Sequence, residues 1–373
     1  RRKPERRQQA MTKQRLSSNQ LLEFIGVDEK TPVWIGLDVH KKSYHVALRR
    51  ADGVCQSWVS PADPTVLARQ LCAISQRISL IVYEAGPTGY CLERVLKVNG
   101  YKVSVVAPSR IPRPVTNVAK TDKLDCLKLA EYAAKGMIEA ITTPSEQESA
   151  ERSVLRRRNQ LVDSTRKTKQ RIKSFLLFHG IEEEYGLRYW SRSAKSKLSK
   201  LPLQSDLKFV LKSLLRQLSY EEEELAKITN RLTRIAKRRP HWEVVKNLKT
   251  VPGVGDIVAC AFRTELFRPE RFRRAEEVCS FLGLAPAIRQ SGEKRQGGWL
   301  MRSGQTRLKS LLIEAAWMWQ AKDPWARKKY RTHLSRCGIA QKAITALARR
   351  LAVILWRLSV ENRAYVMLKV DIV

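Results

Sequence analysis

Acidic residues in three separate segments of the chain are the side chains that most clearly predict chemistry. Asp38 lies inside the apolar run VWIGLDV (33–39), and Glu84 lies near the end of LIVYEAG (80–86). Asp122 and Asp125 are three residues apart in TDKLDCLKLAEYAAKG (121–136). Because an unpaired charge is costly to bury, Asp38 is either the first residue of a turn or a ligand for a cation.

The four carboxylates are expected to converge on one site. Parallel neighbouring strands end at the same edge of a sheet, and residues three apart on a helix share a face. Each acid alone has an ordinary explanation, since Asp122 suits the first turn of a helix and Asp125 can pair with Lys128. Together they would repel one another unless a hard divalent cation neutralised them. The set therefore predicts a Mg²⁺ site for two-metal phosphoryl transfer, with ions about 3.5–4 Å apart.

A second candidate site is a serine among cations. Ser291 lies in the loop RQSGEKRQGG, and the cations around and after it are Arg289, Lys294, Arg295, Arg302 and Arg307. A serine beside glycine is ordinarily a turn residue, and neither GxSxG nor a nearby His or Asp indicates a hydrolase triad. A serine among cations suits attack on a phosphodiester, where the cations stabilise the developing negative charge. Ser303 is a competitor of the same kind, and composition alone does not choose between them.

The composition indicates the kind of partner. The 373 residues include 71 Lys and Arg against 36 Asp and Glu, a net charge of +35. A protein this basic ordinarily neutralises a polyanion, so nucleic acid is the leading partner. No uninterrupted apolar run approaches the about 20 residues that a membrane-spanning helix needs. Dispersed cysteines and histidines predict reduced thiols in a cytoplasm, without a Cys- or His-based metal cluster.

The elements that must position the acids read as an α/β domain over residues 31–140. The order of strands and helices, βββαβαβα, is typical of a ribonuclease-H-like fold. Residues 1–30 are predicted to be a disordered basic arm, since the first twenty carry seven basic residues and almost no apolar ones.

Residues 141–240 are predicted to be basic and helical. Nine Arg or Lys lie between 152 and 173, and Arg156, Arg157 and Arg158 are candidate contacts to nucleic acid. A second helix, over about 205–238, carries apolar residues at alternating steps of four and three, which is a heptad seam. The seam fits a helical hairpin within one chain as well as it fits a dimerisation or RNA-binding arm.

Residues 241–373 are predicted to form a mostly helical domain. LKTVPGVGDIVACAF (248–262) is typical of a helix–hairpin–helix, in which Gly253 and Gly255 allow a tight turn whose amides face a phosphate. A glycine-rich basic loop with Ser291 follows, and a final helix spans about 339–360.

Motifs of both predicted domains together resemble the DEDD transposases of bacterial insertion sequences, the insertion-sequence 110 family. GLDVHKKSYHVAL, YEAGPTGYCLERVL and KTDKLDCLKLAEYA are similar to its four-carboxylate signature. LKTVPGVGDIVA and FLGLAPAIRQSGEKRQGG are similar to its carboxy-terminal domain. The match spans roughly residues 33–355, with no alignable motif over 180–240.

The resemblance implies a RuvC-like domain joined through a coiled coil to a domain with a nucleophilic serine, which maps onto Ser291 rather than Ser303. It also implies a noncoding guide (bridge) RNA that pairs with donor and target double-stranded DNA, and assembly as a dimer or tetramer. Sequence readout would then belong to base pairing. The implied location is the bacterial cytoplasm, in association with the nucleoid.

Two other functions remain open at this point. The first is a metal-dependent, structure-specific DNA nuclease such as a junction resolvase, in which water attacks and Ser291 is only a turn residue. The second is an RNA-binding protein without catalysis, in which the carboxylates are structural. A covalent protein–DNA adduct, free cut ends, or neither would distinguish the three.

Overall fold

The computed structural model describes residues 16–26, 31–111, 122–183, 186–291, 294–300 and 304–367. The chain divides into two compact units, residues 1–144 and residues 145–373. No helix in the described ranges is long and apolar enough to cross a membrane.

The first unit is a five-stranded sheet with helices. Its elements, in chain order, are α1 (Ser18–Ile25), β1 (Val33–Val39), β2 (Ser43–Arg50), β3 (Cys55–Pro61), α2 (Pro64–Leu71), β4 (Ile78–Glu84), α3 (Cys91–Val98), β5 (Val103–Val106) and α4 (Asp122–Ala134). The predicted order of three strands, helix, strand, helix, strand and helix is therefore confirmed.

The sheet is mixed, with the strand order β3-β2-β1-β4-β5. β1, β2 and β3 pair antiparallel through short turns, whereas β4 runs parallel to β1 and β5 runs parallel to β4. Parallel neighbours need a crossover, and α2 and α3 supply crossovers between β3 and β4 and between β4 and β5. This topology is compatible with the ribonuclease-H-like fold expected from the sequence.

Alternation along the central strands separates the two faces of the sheet. Ile35 and Leu37 of β1 and Tyr83 of β4 are buried in a cluster that includes residues of α2 and α3. Val82 of β4 is buried in a different cluster, with Leu129 of α4. α4 therefore covers the opposite face from α2 and α3, as the period of two along a strand requires.

The first helix corrects the prediction of a disordered arm over residues 1–30. α1 begins with a capping box, in which the Ser17 side chain and Gln20 exchange hydrogen bonds with each other's backbone N–H groups. Leu21 and Ile25 are buried in the core of the sheet. The apolar side chains of LLEFI supply enough buried surface to order this segment. Residues 1–15 lie outside the described part of the chain.

The second unit is mostly helical. Its elements are α5 (Glu146–Phe178), α6 (Arg192–Lys200), α7 (Ser205–Ala236), α8 (Trp242–Leu248), α9 (Asp256–Leu266), α10 (Ala275–Phe281), β6 (Pro286–Ser291), β7 (Lys294–Leu300), α11 (Thr306–Lys322), α12 (Pro324–Cys337) and α13 (Ala340–Glu361). The long helix expected near 205–238 and the final helix expected near 339–360 are both present.

Helices α5 and α7 pack against each other as a hairpin within one chain. The seam residues Leu211 and Leu218 are buried in one cluster with Ile172 and Leu176 of α5. Polar contacts also join the two helices, including the hydrogen bond from Ser164 Oγ to Glu221 Oε1 at 2.6 Å. The intramolecular hairpin therefore buries Leu211 and Leu218 of the heptad seam, while assembly into dimers or tetramers stays a prediction.

One detail of the second unit differs from the sequence-based expectation, and one short helix lies between the two long helices. That helix, α6, buries Ala194 and Leu198 on one face. The expected basic loop is instead the β6–β7 hairpin, in which Ser291 pairs with Lys294.

Candidate active site

Two of the predicted acids end neighbouring parallel strands. Asp38 is the second-last residue of β1, and Glu84 is the last residue of β4. The register pairs Leu37 with Tyr83, so one further residue along each strand brings Asp38 level with Glu84. The topology thus places both carboxylates at one edge of the sheet, as the sequence predicted.

Both acids also belong to the α4 face of the sheet. Gly36 lies two residues before Asp38, and Val82 lies two residues before Glu84, so each pair shares a face. Val82 packs in the same cluster as Leu129 of α4. Gly36 lies directly under α4, since a Cβ there would come within 2.5 Å of Ala130 N. Only glycine allows this close approach, which draws the helix onto the strand beside Asp38.

The start of α4 carries the other two acids. Asp125 is half-buried, and Cys126 beside it is buried. Burial raises the pKa of the Cys126 thiol to about 12, and the negative charges of Asp38 and Asp125 add to the rise. The carboxylates of Asp38 on β1 and Asp125 on α4 are therefore both close enough to affect the same thiol. Asp122 is the first residue of α4, and its side chain lies outside the described set.

A histidine that the sequence reasoning missed contacts this edge. His40 Nε2 lies 3.0 Å from Asp38 Oδ2, a distance at which a ring N–H donates to the carboxylate. His45 is opposite Asp38 in the β1–β2 register, and the rings of the two histidines meet edge to face with 5.8 Å between centroids. The sequence feature that could have revealed this contact is the Asp-x-His spacing at the end of β1. A tight turn follows it and brings β2 back beside Asp38.

The donor set fits a hard cation, although the described side chains do not form a closed cage. Among side chains with described positions, no three His, Cys, Asp or Glu groups lie close enough to hold a metal ion. The fourth predicted ligand, Asp122, is outside that set. Carboxylate oxygens are the donors that Mg²⁺ and Ca²⁺ prefer, and the topology places Asp38 and Glu84 at one edge of the sheet.

The predicted serine lies on a strand end in the second unit. Ser291 is the last residue of β6, and its register partner Lys294 is the first residue of β7. The backbone register therefore pairs the serine with Lys294, although the side chains of both residues lie outside the described set. The side chains of Arg289, Lys294 and Arg295 are outside the described set, and so are Arg302 and Ser303 entirely. Their roles stay predictions.

Arg307 and Gly253 have structural roles that the sequence did not reveal. Arg307 is half-buried and forms an ion pair with Asp163 of α5. Gly253 lies against α11, where a Cβ would come within 2.7 Å of the Ala315 carbonyl oxygen. This close packing and its φ of +89° both favour glycine at this position. Gly255 is exposed at the start of α9, so its predicted phosphate contact is sterically open.

The three arginines of α5 do not share one environment. Arg156 and Arg157 are exposed, whereas Arg158 is half-buried and donates from Nε to Thr229 Oγ1 of α7 at 3.2 Å. Burial lowers the pKa of Arg158, and the positive charge of Arg307 lowers it further. Arg158 thus joins the two helices, while Arg156 and Arg157 are the pair available to phosphates.

We expect the double variant Arg156→Gln/Arg157→Gln to weaken RNA binding and to reduce the slope of log K against log salt by about two, about one for each lost phosphate contact. Filter binding at several salt concentrations measures both quantities. The matched control is Arg231→Gln/Arg234→Gln, which removes two exposed arginines from α7. Equal losses in the two variants, or no loss in the first, would place the RNA site elsewhere.

Comparison with known proteins gives the class. A family model described as "Transposase IS116/IS110/IS902 family" matches residues 245–331. A second model, described as "Transposase" and named for the DEDD residues of IS110 elements, matches residues 35–180, which hold all four acids. The sheet of the first unit, with acids at the ends of its parallel strands, lies in the segment that matches the DEDD model. Together with the match over residues 245–331, it defines a transposase with a DEDD domain.

The chain is also similar to curated transposases over most of its length. It is 28% identical to the putative transposase y4qE of Sinorhizobium fredii, over 88% of this chain and 89% of that protein. It is 28% identical to the transposase for insertion sequence element IS1533 of Leptospira borgpetersenii, over 77% and 85% of the two chains. The transposase for IS1111A of Coxiella burnetii is 24% identical, over 78% and 80%. The chain belongs to the IS110 family of transposases.

Proposed function

We propose that this transposase is an RNA-guided recombinase that joins donor and target DNA of a bacterial insertion sequence through a serine–DNA intermediate. The observation that carries the proposal is the acidic edge of the sheet. Asp38 and Glu84 end neighbouring parallel strands on the face that α4 covers, and α4 begins with Asp122 and Asp125. Four carboxylates at this edge would need a cation to offset their mutual repulsion.

In this proposal the four acids hold Mg²⁺. Bound there, the ion would supply Lewis-acid stabilisation of the charge that develops on a phosphodiester. His40 keeps the Asp38 carboxylate oriented through its 3.0 Å contact, in the way that outer residues orient metal ligands. Gly36 keeps α4 close enough for its first turn to share the site with β1.

The nucleophile in this proposal is Ser291. Its hydroxyl oxygen forms a bond to phosphorus, the bond from phosphorus to one sugar oxygen breaks, and that oxygen leaves with a proton. Cations of the β6–β7 hairpin, Arg289, Lys294 and Arg295, stabilise the charge on the phosphoryl oxygens. The support for Ser291 is the family resemblance of its SG dipeptide together with its place at the tip of a basic hairpin.

The net charge of +35 supports the proposed partners, a guide RNA and two DNA duplexes. A protein that holds both must neutralise many phosphates, and base pairing then provides the sequence readout. Within this proposal the recombinase acts as a dimer or tetramer, since two DNA molecules are cut and exchanged.

The experiment that tests the function uses the purified chain with its copurifying RNA, a donor plasmid carrying the element and a target plasmid. We expect sequenced donor–target junctions in Mg²⁺ and none in EDTA, and copurifying RNA complementary to both junction partners. Free cut ends without junctions would indicate a nuclease. Binding without cleavage or junctions would indicate an RNA-binding protein.

A further inference from the structure

A groove of about 720 Å³ lies in the second unit, and none of its described lining residues belongs to the β6–β7 hairpin. A face of α13 contributes Arg350, Val353, Ile354 and Arg357 to its lining, and these residues follow one another at helical spacing. Trp325 of α12 also lines the groove. The groove therefore combines cations with apolar and aromatic surface.

The charge of the groove has one sign. Among its described lining residues are four arginines and one histidine, and no aspartate or glutamate: Arg349, Arg350, Arg357, Arg363 and His333. Arg363 pairs with Glu361, and Arg349 hydrogen-bonds the Cys279 thiol. Arg350 and Arg357 are exposed and have no acidic partner within the described ranges. These two arginines are available to an anion.

The pKa of His333, which lines the groove, reflects the same positive charge. Burial lowers the pKa of His333, and the positive charges of Arg350, Arg336 and Lys329 lower it further. The arginines therefore keep the groove positively charged even when His333 is neutral. An anion placed there would relieve repulsion among the cations.

The floor of the groove decides what kind of anion fits. Val353, Ile354, Leu358, Trp325 and Tyr365 give it apolar and aromatic surface between the arginines. Cations that follow a phosphate backbone, together with apolar surface for base faces, are the features of single-strand binding sites. A duplex offers phosphates but keeps its base faces stacked inside, so it would leave this floor uncovered.

We propose that the groove between α12 and α13 binds a short unpaired stretch of nucleic acid, with Arg350 and Arg357 on its phosphates and its bases on the floor formed by Trp325, Ile354 and Tyr365. The inference rests on the proposed function for its choice of nucleic acid as the polyanion. It adds a binding site in the second unit for nucleic-acid strands that are unpaired while donor and target DNA are recombined.

The test uses the full chain and three fluorescent probes: a 20-nucleotide oligo-dT strand, the same length of abasic strand, and a hairpin duplex. Arg350→Glu/Arg357→Glu is expected to weaken oligo-dT binding by at least about tenfold and duplex binding by less than about threefold. The wild type should bind the abasic strand at least about tenfold more weakly than oligo-dT.

The control is Arg331→Glu/Lys342→Glu, which makes the same total charge change at exposed positions of α12 and α13 that do not line the groove. It should leave oligo-dT binding within about threefold of the wild type. Photocrosslinking of a strand that contains 5-bromodeoxyuridine should then map to Trp325 or Tyr365.

Equal weakening in the two charge variants, equal loss of strand and duplex, or crosslinks only outside the groove would overturn the inference. Its failure is separable from failure of the proposed function. A chain that binds strands in the groove but forms no junctions would refute the function alone. Junction formation together with normal strand binding by Arg350→Glu/Arg357→Glu would refute the groove alone.

Discussion

Asp38→Asn is expected to abolish DNA cleavage and joining while the protein stays folded. The substitution removes one negative ligand from the acidic edge but keeps the size of the side chain and an oxygen that accepts from His40. A loss of about three orders of magnitude in rate corresponds to about 4 kcal/mol of transition-state stabilisation. Because the variant also relieves repulsion among carboxylates, its Tm should be unchanged or up to about 3 °C higher.

Cleavage of labelled element-end DNA in Mg²⁺ measures the activity, and circular dichroism measures the Tm. The matched control is Asp52→Asn, which changes an exposed aspartate paired with Arg50 in the same unit. It should cleave at the wild-type rate. Normal cleavage by Asp38→Asn would refute the metal-site interpretation, and a large fall in its Tm would make Asp38 a structural residue instead.

Ser291→Ala is expected to abolish both recombination and the covalent protein–DNA species. The wild type should give a DNA-retarded protein band on a denaturing gel, because a phosphoserine bond survives denaturation. The variant should still bind its RNA and be directed to DNA, since a hydroxyl is the only group removed. The loss should be complete within detection, because no second nucleophile replaces the serine in this proposal.

Ser303→Ala is the control, since Ser303 is the neighbouring serine before a glycine. It should keep the retarded band, and mass spectrometry of the adduct should place the DNA on Ser291. An adduct on Ser303, or recombination by Ser291→Ala, would contradict the assignment. Cut DNA ends without any adduct would favour attack by water.

The sheet and its acidic edge were predictable because local pattern and topology decide them together. VWIGLDV and LIVYEAG are short apolar runs that end at turn signals, and parallel strands must end at a common edge. Gly36 was not recognised as the contact point for α4, since a glycine in a strand does not reveal which helix approaches it. The common edge of Asp38 and Glu84 was therefore predictable, whereas the contact of α4 at Gly36 was not.

The remaining differences arise from contacts between distant residues. Residues 18–25 form a helix because Leu21 and Ile25 pack into the core of the sheet. The basic composition of the arm does not reveal this contact. In the sequence, Arg158 looks equivalent to Arg156 and Arg157, but in the fold it donates a hydrogen bond to Thr229 of α7. The heptad seam of α7 has the same pattern whether its partner is α5 or another chain. Only the fold shows that α5 buries Leu211 and Leu218.

The most direct test of the central claim is metal-directed cleavage of the polypeptide. Fe²⁺ substituted for Mg²⁺, with ascorbate and peroxide, cuts backbone near the bound ion, and the fragments identify the segments around it. We predict cuts near Asp38, near Glu84 and near Asp122–Asp125 in the same protein, suppressed by excess Mg²⁺ and lost in Asp38→Asn. Cuts at only one of these segments, or cuts that persist in Asp38→Asn, would contradict a shared metal site.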